Sequence, residues 1–143
     1  MGDYTELVFA VELKEDTPPD VIAILTHMVN GTTEGIETPN HPFFKTDRWM
    51  SLFLCDSYYF PGNTHSDFRY DTIAAAYFLT VRSNIKNYGQ EIEKFLSWLA
   101  PYVLPHEKAG GFAGYTRFEY DTTPTLIIFH PIRGLQFLEW HDW

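Results

Sequence analysis

Hydrophobic side chains alternate with polar ones near the start of the chain and recur at helical spacing soon afterwards. In residues 5–14, TELVFAVELK, an apolar residue occupies every second position, which predicts a β-strand with one strongly apolar face. Residues 17–31 carry apolar side chains three and four apart, after a Thr-Pro pair and before Asn-Gly, so they predict a capped α-helix. The pattern therefore predicts a strand followed by a helix.

The remaining pattern predicts more strands and one more helix. Residues 49–55 and 72–84 are apolar runs, which predict a short and a longer buried strand. Residues 87–104 carry a helical apolar stripe behind an asparagine that can act as the N-cap. Residues 112–120 and 125–130 predict two strands of a hairpin joined by DTTP, and the C-terminal tail predicts an edge strand or a short helix.

The predicted order of elements is strand, helix, strand, strand, helix, strand, strand. This order resembles the ferredoxin-like plait, an α+β fold, and implies an antiparallel sheet with two helices on one face and an extra C-terminal strand or short helix. We expect residues 1–143 to form a single domain of this kind. The second face of such a sheet is open, so it could meet a partner or a ligand.

An aromatic segment connects the second and third predicted strands. Residues 53–71, FLCDSYYFPGNTHSDFRYD, contain six aromatic side chains around a Pro-Gly-Asn turn signal. A connection of this length exceeds an ordinary hairpin loop. We therefore interpret residues 56–71 as an aromatic flap, held by its own side chains and able to roof the open face.

Composition and charge narrow the choice of partners. With 45% hydrophobic and 17% aromatic residues, the chain is too apolar for disorder and has aromatics to spare for a contact surface. The net charge is −9, and residues 1–37 hold eight acids and one base. This local acidity argues against nucleic acid and anionic lipid and would suit a basic protein or a cation, but the simpler interpretation is a solvated face that aids solubility. The sequence shows no leader or membrane-spanning run, which predicts a cytoplasmic protein.

Residue patterns for catalysis or metal binding are sparse. The one cysteine, Cys55, is followed by an acid that opposes thiolate formation. The six histidines form no helical metal-binding pair, and His65 with Asp67 supplies only two ligands. The glycines at 110, 111 and 114 lead into a predicted strand, whereas a phosphate loop leads into a helix. We predict no metal, no cofactor and no catalytic residue, and the sequence leans away from an enzyme without deciding the matter.

The open sheet face is the strongest candidate site. It combines aromatic and charged side chains, as protein interfaces do, although Arg117 and Glu119 could equally be a cross-strand ion pair on a wet surface. The predicted binding residues are Glu12, His65, Tyr77, Arg82, Tyr115, Arg117, Glu119 and His130. In the tail, Trp140, His141 and Trp143 could line a pocket or a partner groove, and we favour the alternative that they latch the last element onto the core.

Two functions from different classes fit these observations. The first is a small acidic binding or regulatory protein that recognises another protein through the open sheet face or the acidic N-terminal region. Small inhibitor and immunity proteins have this physical character. The second is a homodimer whose open faces enclose an aromatic pocket that binds or converts a small molecule. The two hypotheses differ in oligomeric state, which the sequence does not fix.

Overall fold

The structure is a computed structural model that describes residues 3–139 and 141. Strand β1 (Thr5–Leu13) and helix α1 (Pro19–Asn30) come first, as the apolar spacing predicts. Gly31 ends α1 in the left-handed conformation at φ 70°, which glycine adopts without strain. The elements are β1 (Thr5–Leu13), α1 (Pro19–Asn30), β2 (His65–Asp71), β3 (Ala76–Ile85), α2 (Glu91–Leu99), β4 (Val103–Leu104), β5 (Phe112–Phe118), β6 (Thr125–His130) and β7 (Gly134–Leu138), with short 3-10 helices between them.

The seven strands of the described residues join one antiparallel sheet. Its order is β2-β3-β1-β5-β6-β7, and the short β4 pairs with the end of β1. At the centre, Phe9 lies between Val81 of β3 and Gly114 of β5. A Cβ at position 114 would collide with the Val8 carbonyl oxygen, so a glycine is needed for β5 to approach β1 this closely.

The predicted ferredoxin-like plait is wrong. The described residues form a seven-stranded, mostly β structure with only two α-helices. One source of the error is residues 49–55, which are not a strand but a 3-10 helix (Trp49–Ser51) followed by turns. Trp49, Leu52 and Phe53 are all buried, a helical spacing that a short apolar run conceals. The strand that pairs with β3 lies instead within the aromatic segment, as β2.

A tight turn replaces the start of the long strand predicted over residues 72–84. The Asp71 carboxylate accepts the backbone N–H groups of Ile73 at 2.8 Å and Ala74 at 3.1 Å. These hydrogen bonds lower the pKa of Asp71, and the one from Ala74 has the larger effect. Ile73 lies in this turn and is almost fully exposed, so its apolar side chain was a misleading sign of a buried strand.

The other predicted elements differ mainly in their ends. The second helix is shorter than the predicted 87–104, and its N-cap residue is Gln90, so the prediction of Asn87 as the N-cap is wrong. Asn87 lies before the helix, where its Oδ1 still accepts the Ile92 N–H at 2.9 Å. The predicted hairpin is confirmed by β5 and β6. Of the two forms predicted for the tail, an edge strand or a short helix, the structure has the edge strand, β7. The latch interpretation of Trp140 and Trp143 falls outside the described residues. Within the described part of the chain, no helix has the length and apolar character needed to cross a bilayer.

The core lies against one face of the central strands. Leu7, Phe9, Val11 and Leu13 point into it from alternate positions of β1. Phe9 meets Phe95 of α2 with 5.9 Å between ring centroids. Buried aromatics from the segment 42–51 complete this layer, namely Phe43, Phe44 and Trp49. The opposite face of the sheet carries the intervening side chains and forms the candidate site.

Candidate recognition site on the open face of the sheet

The open face follows from the two-residue period of β1 and the register of its neighbours. Glu6, Val8, Ala10 and Glu12 alternate with the core residues. In the same order, Asn84, Arg82, Thr80 and Phe78 of β3 lie beside them, and Arg117 and Tyr115 of β5 flank Glu6 and Val8. Ala10 and Thr80 are exposed, so the centre of this face is uncovered while each end carries charged groups.

A buried ion cluster occupies one end of the open face. Arg82 Nη2 donates to Glu6 Oε2 at 2.5 Å, and Arg117 Nε lies 3.5 Å from Glu6 Oε1. The Glu6 side chain is 7% exposed, compared with 16% for Arg82 and 28% for Arg117. One carboxylate therefore faces two guanidinium groups, and the cluster keeps a surplus positive charge in a poorly hydrated place.

Polar groups beside the ion cluster are only partly satisfied. The pKa of the Tyr115 hydroxyl is raised, mainly by burial and to a smaller extent by the negative charge of Glu6. Asn84 is fully buried. Within the described residues, neither polar atom of its amide makes a hydrogen bond, and nor does Arg82 Nη1. Buried polar atoms without a hydrogen bond lower the stability of the folded state, so apolar side chains at this end of the sheet would be more favourable.

The aromatic segment folds over the ion cluster. Phe60 is buried and its ring lies over the Arg117 guanidinium, 4.9 Å from the ring centroid. Gly62 comes so close to the Arg82 side chain that a Cβ would collide with it. The Thr64 hydroxyl donates a hydrogen bond to the Cys55 carbonyl at 3.0 Å, which fixes the end of this segment. Residues 57–64 thus form the cover, and residues 65–71 of the same segment form β2.

The far end of the open face is more open and less charged. Glu12 Oε1 lies 3.6 Å from His106 Nε2, and the imidazole is 60% exposed. Phe78, Thr80 and Phe112 join this pair around a depression of about 180 Å³. The depression is small compared with ordinary small-molecule pockets, so it suits a single inserted side chain better than a whole ligand.

Beyond the ion cluster, four tyrosines gather at the end of the sheet. Tyr4 and Tyr59 have ring centroids 6.1 Å apart, and the Tyr88 hydroxyl lies 3.5 Å from Asp3 Oδ2. Glu119 Oε1 accepts the backbone N–H groups of Asp3 and Tyr4, which brings the end of β5 and the following residue Tyr120 to the same place. We call this surface the tyrosine patch; it comprises Tyr4, Tyr59, Tyr88 and Tyr120 with the carboxylates of Asp3 and Glu119.

The structure brings some of the predicted site residues together. Arg82, Tyr115 and Arg117 meet around Glu6. His65 lies opposite Arg82 on β2 and is exposed on the same face. Glu119 takes part in the tyrosine patch.

Three other predicted residues lie apart from that group. Glu12 is at the far end of the face with His106. Tyr77 belongs to the opposite face, where it stacks on Phe68 with 5.1 Å between centroids. His130 ends β6, and its Nδ1 accepts the backbone N–H groups of Ile132 and Arg133 at 3.1 Å, which stabilises the following turn.

The most central residue of the ion cluster, Glu6, is absent from the predicted set. The sequence pattern could have identified Glu6, because it is an even number of residues from Glu12 on β1 and therefore lies on the same face of the strand. The tyrosine patch had no such signal, because residues 4, 59, 88 and 120 are far apart in the chain. Only the pairing of β1 with β5 and the path of the cover bring them together.

The described residues of the open face combine an ion cluster with aromatic and polar side chains. Burial raises the pKa of the Cys55 thiol, which disfavours the nucleophilic thiolate. Among the described residues, no group of three or more His, Cys, Asp and Glu side chains is placed to hold a metal ion. The arrangement offers charge, hydrogen bonds and aromatic surface, which are the means of recognition.

Comparison with known proteins does not assign the chain to a class. No protein-family model, no curated protein and no solved structure matches it. Its function has to be inferred from its own surfaces.

Proposed function

We propose that this protein recognises a basic segment of another protein, and that the tyrosine patch is the contact surface. The observation that carries the proposal is the exposure of these rings side by side. Tyr59 is 57% exposed, Tyr88 59% and Tyr120 73%. Tyrosine contributes a large, rigid and amphipathic surface, and it is enriched among the residues that dominate binding energy at protein interfaces.

The charge around the patch favours a cationic partner. The negative charge of Glu119, followed by that of Asp3, raises the pKa of the Tyr120 hydroxyl. The whole chain has a net charge of −9, so it attracts basic partners over a longer range as well. Tyrosine rings also bind cations on their faces, as Lys86 already does on Tyr4 with 5.6 Å from Nζ to the centroid. Arginine and lysine side chains of a partner would match both the rings and the carboxylates.

The ion cluster supports the patch from beneath. Phe60 is held over Arg117, and the neighbouring residue Tyr59 is thereby kept against Tyr4. A ring that is already fixed loses less conformational entropy on binding than a mobile one. The buried charges of Glu6, Arg82 and Arg117 thus acquire a role, since they hold the cover that presents Tyr59.

The proposal is tested by a double substitution, Tyr59→Ala with Tyr120→Ala. Proteins crosslinked in the host to the wild-type chain are isolated, the crosslinked segment is identified, and the purified partner is titrated by calorimetry. We expect the segment to be rich in Arg and Lys and the affinity to fall at least tenfold in the double variant, as for two interface anchors. Higher salt should weaken the wild-type complex.

Tyr70→Ala is the matched control. Tyr70 is half exposed but lies on β2 beside Tyr77, away from the patch, so its removal should leave the affinity unchanged. The proposal would be refuted if the crosslinked segment were acidic or apolar, or if Tyr70→Ala weakened binding as much as the double variant.

A homodimer is the second candidate, and the uncovered centre of the open face favours it. Ala10 and Thr80 are exposed there, next to Phe112, which is 49% exposed. Two copies could bury these side chains against each other. A dimer in native mass spectrometry that Ala10→Lys dissociates would support this candidate, whereas a monomer at micromolar concentration would exclude it.

A further inference from the structure

A depression beside the first turn of α2 concentrates positive charge in this acidic protein. It has a volume of about 510 Å³, and Lys45, Arg48 and Lys94 line it together with Tyr88, Asp47 and Glu91. These are three of the ten Lys and Arg residues of the chain. We call this depression the cationic pocket. Its excess of positive over negative side chains contrasts with the net charge of −9 for the whole chain.

Buried aromatics hold the pocket in shape. Phe43 packs on Phe95 of α2 with 5.3 Å between centroids, and Phe44 meets Trp98 at 5.1 Å. These contacts anchor the segment 42–51 against α2, so Lys45 and Arg48 are fixed beside the start of that helix. The pocket is therefore built from side chains on a rigid support and does not depend on a mobile loop.

The cations of the pocket lack strong partners. Arg48 Nη1 is 3.9 Å from Glu91 Oε2, too far for a hydrogen bond, and its guanidinium lies 5.2 Å from the Tyr88 ring centroid. In the part of the chain that the structure describes, neither Lys45 nor Lys94 forms an ion pair within 4.0 Å. The carboxylates of Asp47 and Glu91 balance only two of the three cations in the lining, so the pocket keeps one surplus positive charge that a bound anion would neutralise.

Glu91 adds a second requirement for the ligand. Its side chain is fully buried, and its Oε1 accepts the Gly89 N–H at 2.9 Å. Its Oε2 is buried as well and accepts no hydrogen bond from any described residue, and Glu91 is one of the residues that line the pocket. A buried carboxylate oxygen of this kind needs a donor, so the ligand should carry a hydroxyl or amino group as well as its anionic group.

We infer that the cationic pocket binds a small phosphate monoester that also carries a hydroxyl or amino group. The phosphate would accept hydrogen bonds from Arg48 and the two lysines, and the donor group would meet Glu91 Oε2. The volume lies within the range of small-molecule pockets and exceeds what a phosphate ion alone would fill, so the ligand needs an organic body. This inference does not depend on the tyrosine patch or on the proposed protein partner.

The test is a titration with ribose phosphate, inorganic phosphate and unphosphorylated ribose, followed by amide nitrogen–proton NMR. We expect ribose phosphate to shift the amide signals of residues 45–48, Gly89 and Lys94, with a higher affinity than inorganic phosphate and no response to ribose. Lys45→Glu with Lys94→Glu should lower the affinity at least tenfold. Lys14→Glu with Lys108→Glu is the control for net charge and should have only a small effect. Shifts scattered over all lysines, or equal losses in both double variants, would overturn the inference.

Glu91→Gln tests the donor requirement separately. The glutamine keeps the oxygen that accepts the Gly89 N–H, but it replaces the second acceptor with a donor and removes a negative charge. Inorganic phosphate should therefore bind several-fold more tightly to this variant, while the preference for ribose phosphate over inorganic phosphate shrinks. An unchanged preference would show that Glu91 does not contact the ligand. Loss of all binding in a variant that still gives a folded spectrum would contradict the charge argument.

Discussion

Neutralising Glu6 should destabilise this protein more than any other single change of charge on the open face. Glu6→Gln keeps the shape of the side chain but leaves Arg82 and Arg117 with no counter-charge. Removing one partner of a buried ion pair typically costs about 3–5 kcal/mol. Arg82 is 16% exposed and Arg117 28%, so water can hydrate part of the unpaired charge. We expect a loss near the lower limit, about 3 kcal/mol in the free energy of unfolding.

Urea unfolding followed by tryptophan fluorescence measures this loss. With a slope of roughly 1–3 kcal/mol per molar urea, the midpoint should fall by about 1–3 M while the slope stays unchanged. Glu12→Gln is the matched control on the same strand face. The partner of Glu12 is His106, which is 60% exposed, so that change should cost less than about 1 kcal/mol. If both variants lost the same free energy of unfolding, burial of the Glu6 ion pairs could not be the reason for their contribution to stability.

A triple variant separates charge from packing. Glu6→Leu, Arg82→Met and Arg117→Met together replace the ion cluster with apolar side chains, which in other proteins is often neutral or stabilising. If the loss in Glu6→Gln comes from unpaired charge, the triple variant should recover most of the stability. A triple variant as unstable as Glu6→Gln would mean that the three side chains contribute chiefly through their packing with Phe60.

Two further changes test the cover and the thiol. Gly62→Ala places a methyl group against Arg82, so it should displace the cover and increase protease cleavage within residues 57–64; cleavage no faster than in the wild type would contradict the close contact. The raised pKa of Cys55 means that iodoacetamide should alkylate the folded protein more slowly than the urea-unfolded chain at neutral pH, with the difference persisting until the pH approaches the folded-state pKa; equal rates at neutral pH would show that burial does not protect the thiol.

Local sequence patterns predicted the elements that carry a clear period. The two-residue alternation of β1 and the helical stripe of α1 were unambiguous, because in both cases the apolar set matches one geometry only. The hairpin of β5 and β6 was found from its turn residues. Short apolar runs were misleading, since Trp49, Leu52 and Phe53 are buried in a segment without a strand, while Ile73 is exposed in a turn.

The arrangement of the sheet could not be read from these patterns. β2 lies in a segment with the turn residues and mixed polarity of a loop, and it is a strand because β3 offers an edge to pair with. An assumed fold then placed Tyr77 on the open face, whereas the register puts it beside Tyr70 on the core side. The alternation of β1 correctly assigned its side chains to the two faces of the sheet, so Glu6 could have been predicted as a residue of the open face. The tyrosine patch required the long-range register.

The tyrosine patch and the cationic pocket have opposite electrostatic character, and this difference makes them separable by experiment. Tyr88 is the one residue named in both, since its hydroxyl lies near Asp3 and its ring near Arg48. A change at Tyr88 would affect both surfaces and therefore distinguish nothing. Tyr59 and Tyr120 face only the acidic surface, and Lys45 and Lys94 only the basic one. A basic protein segment and a phosphate monoester require opposite charge, so loss of one interaction with retention of the other assigns each ligand to its own surface.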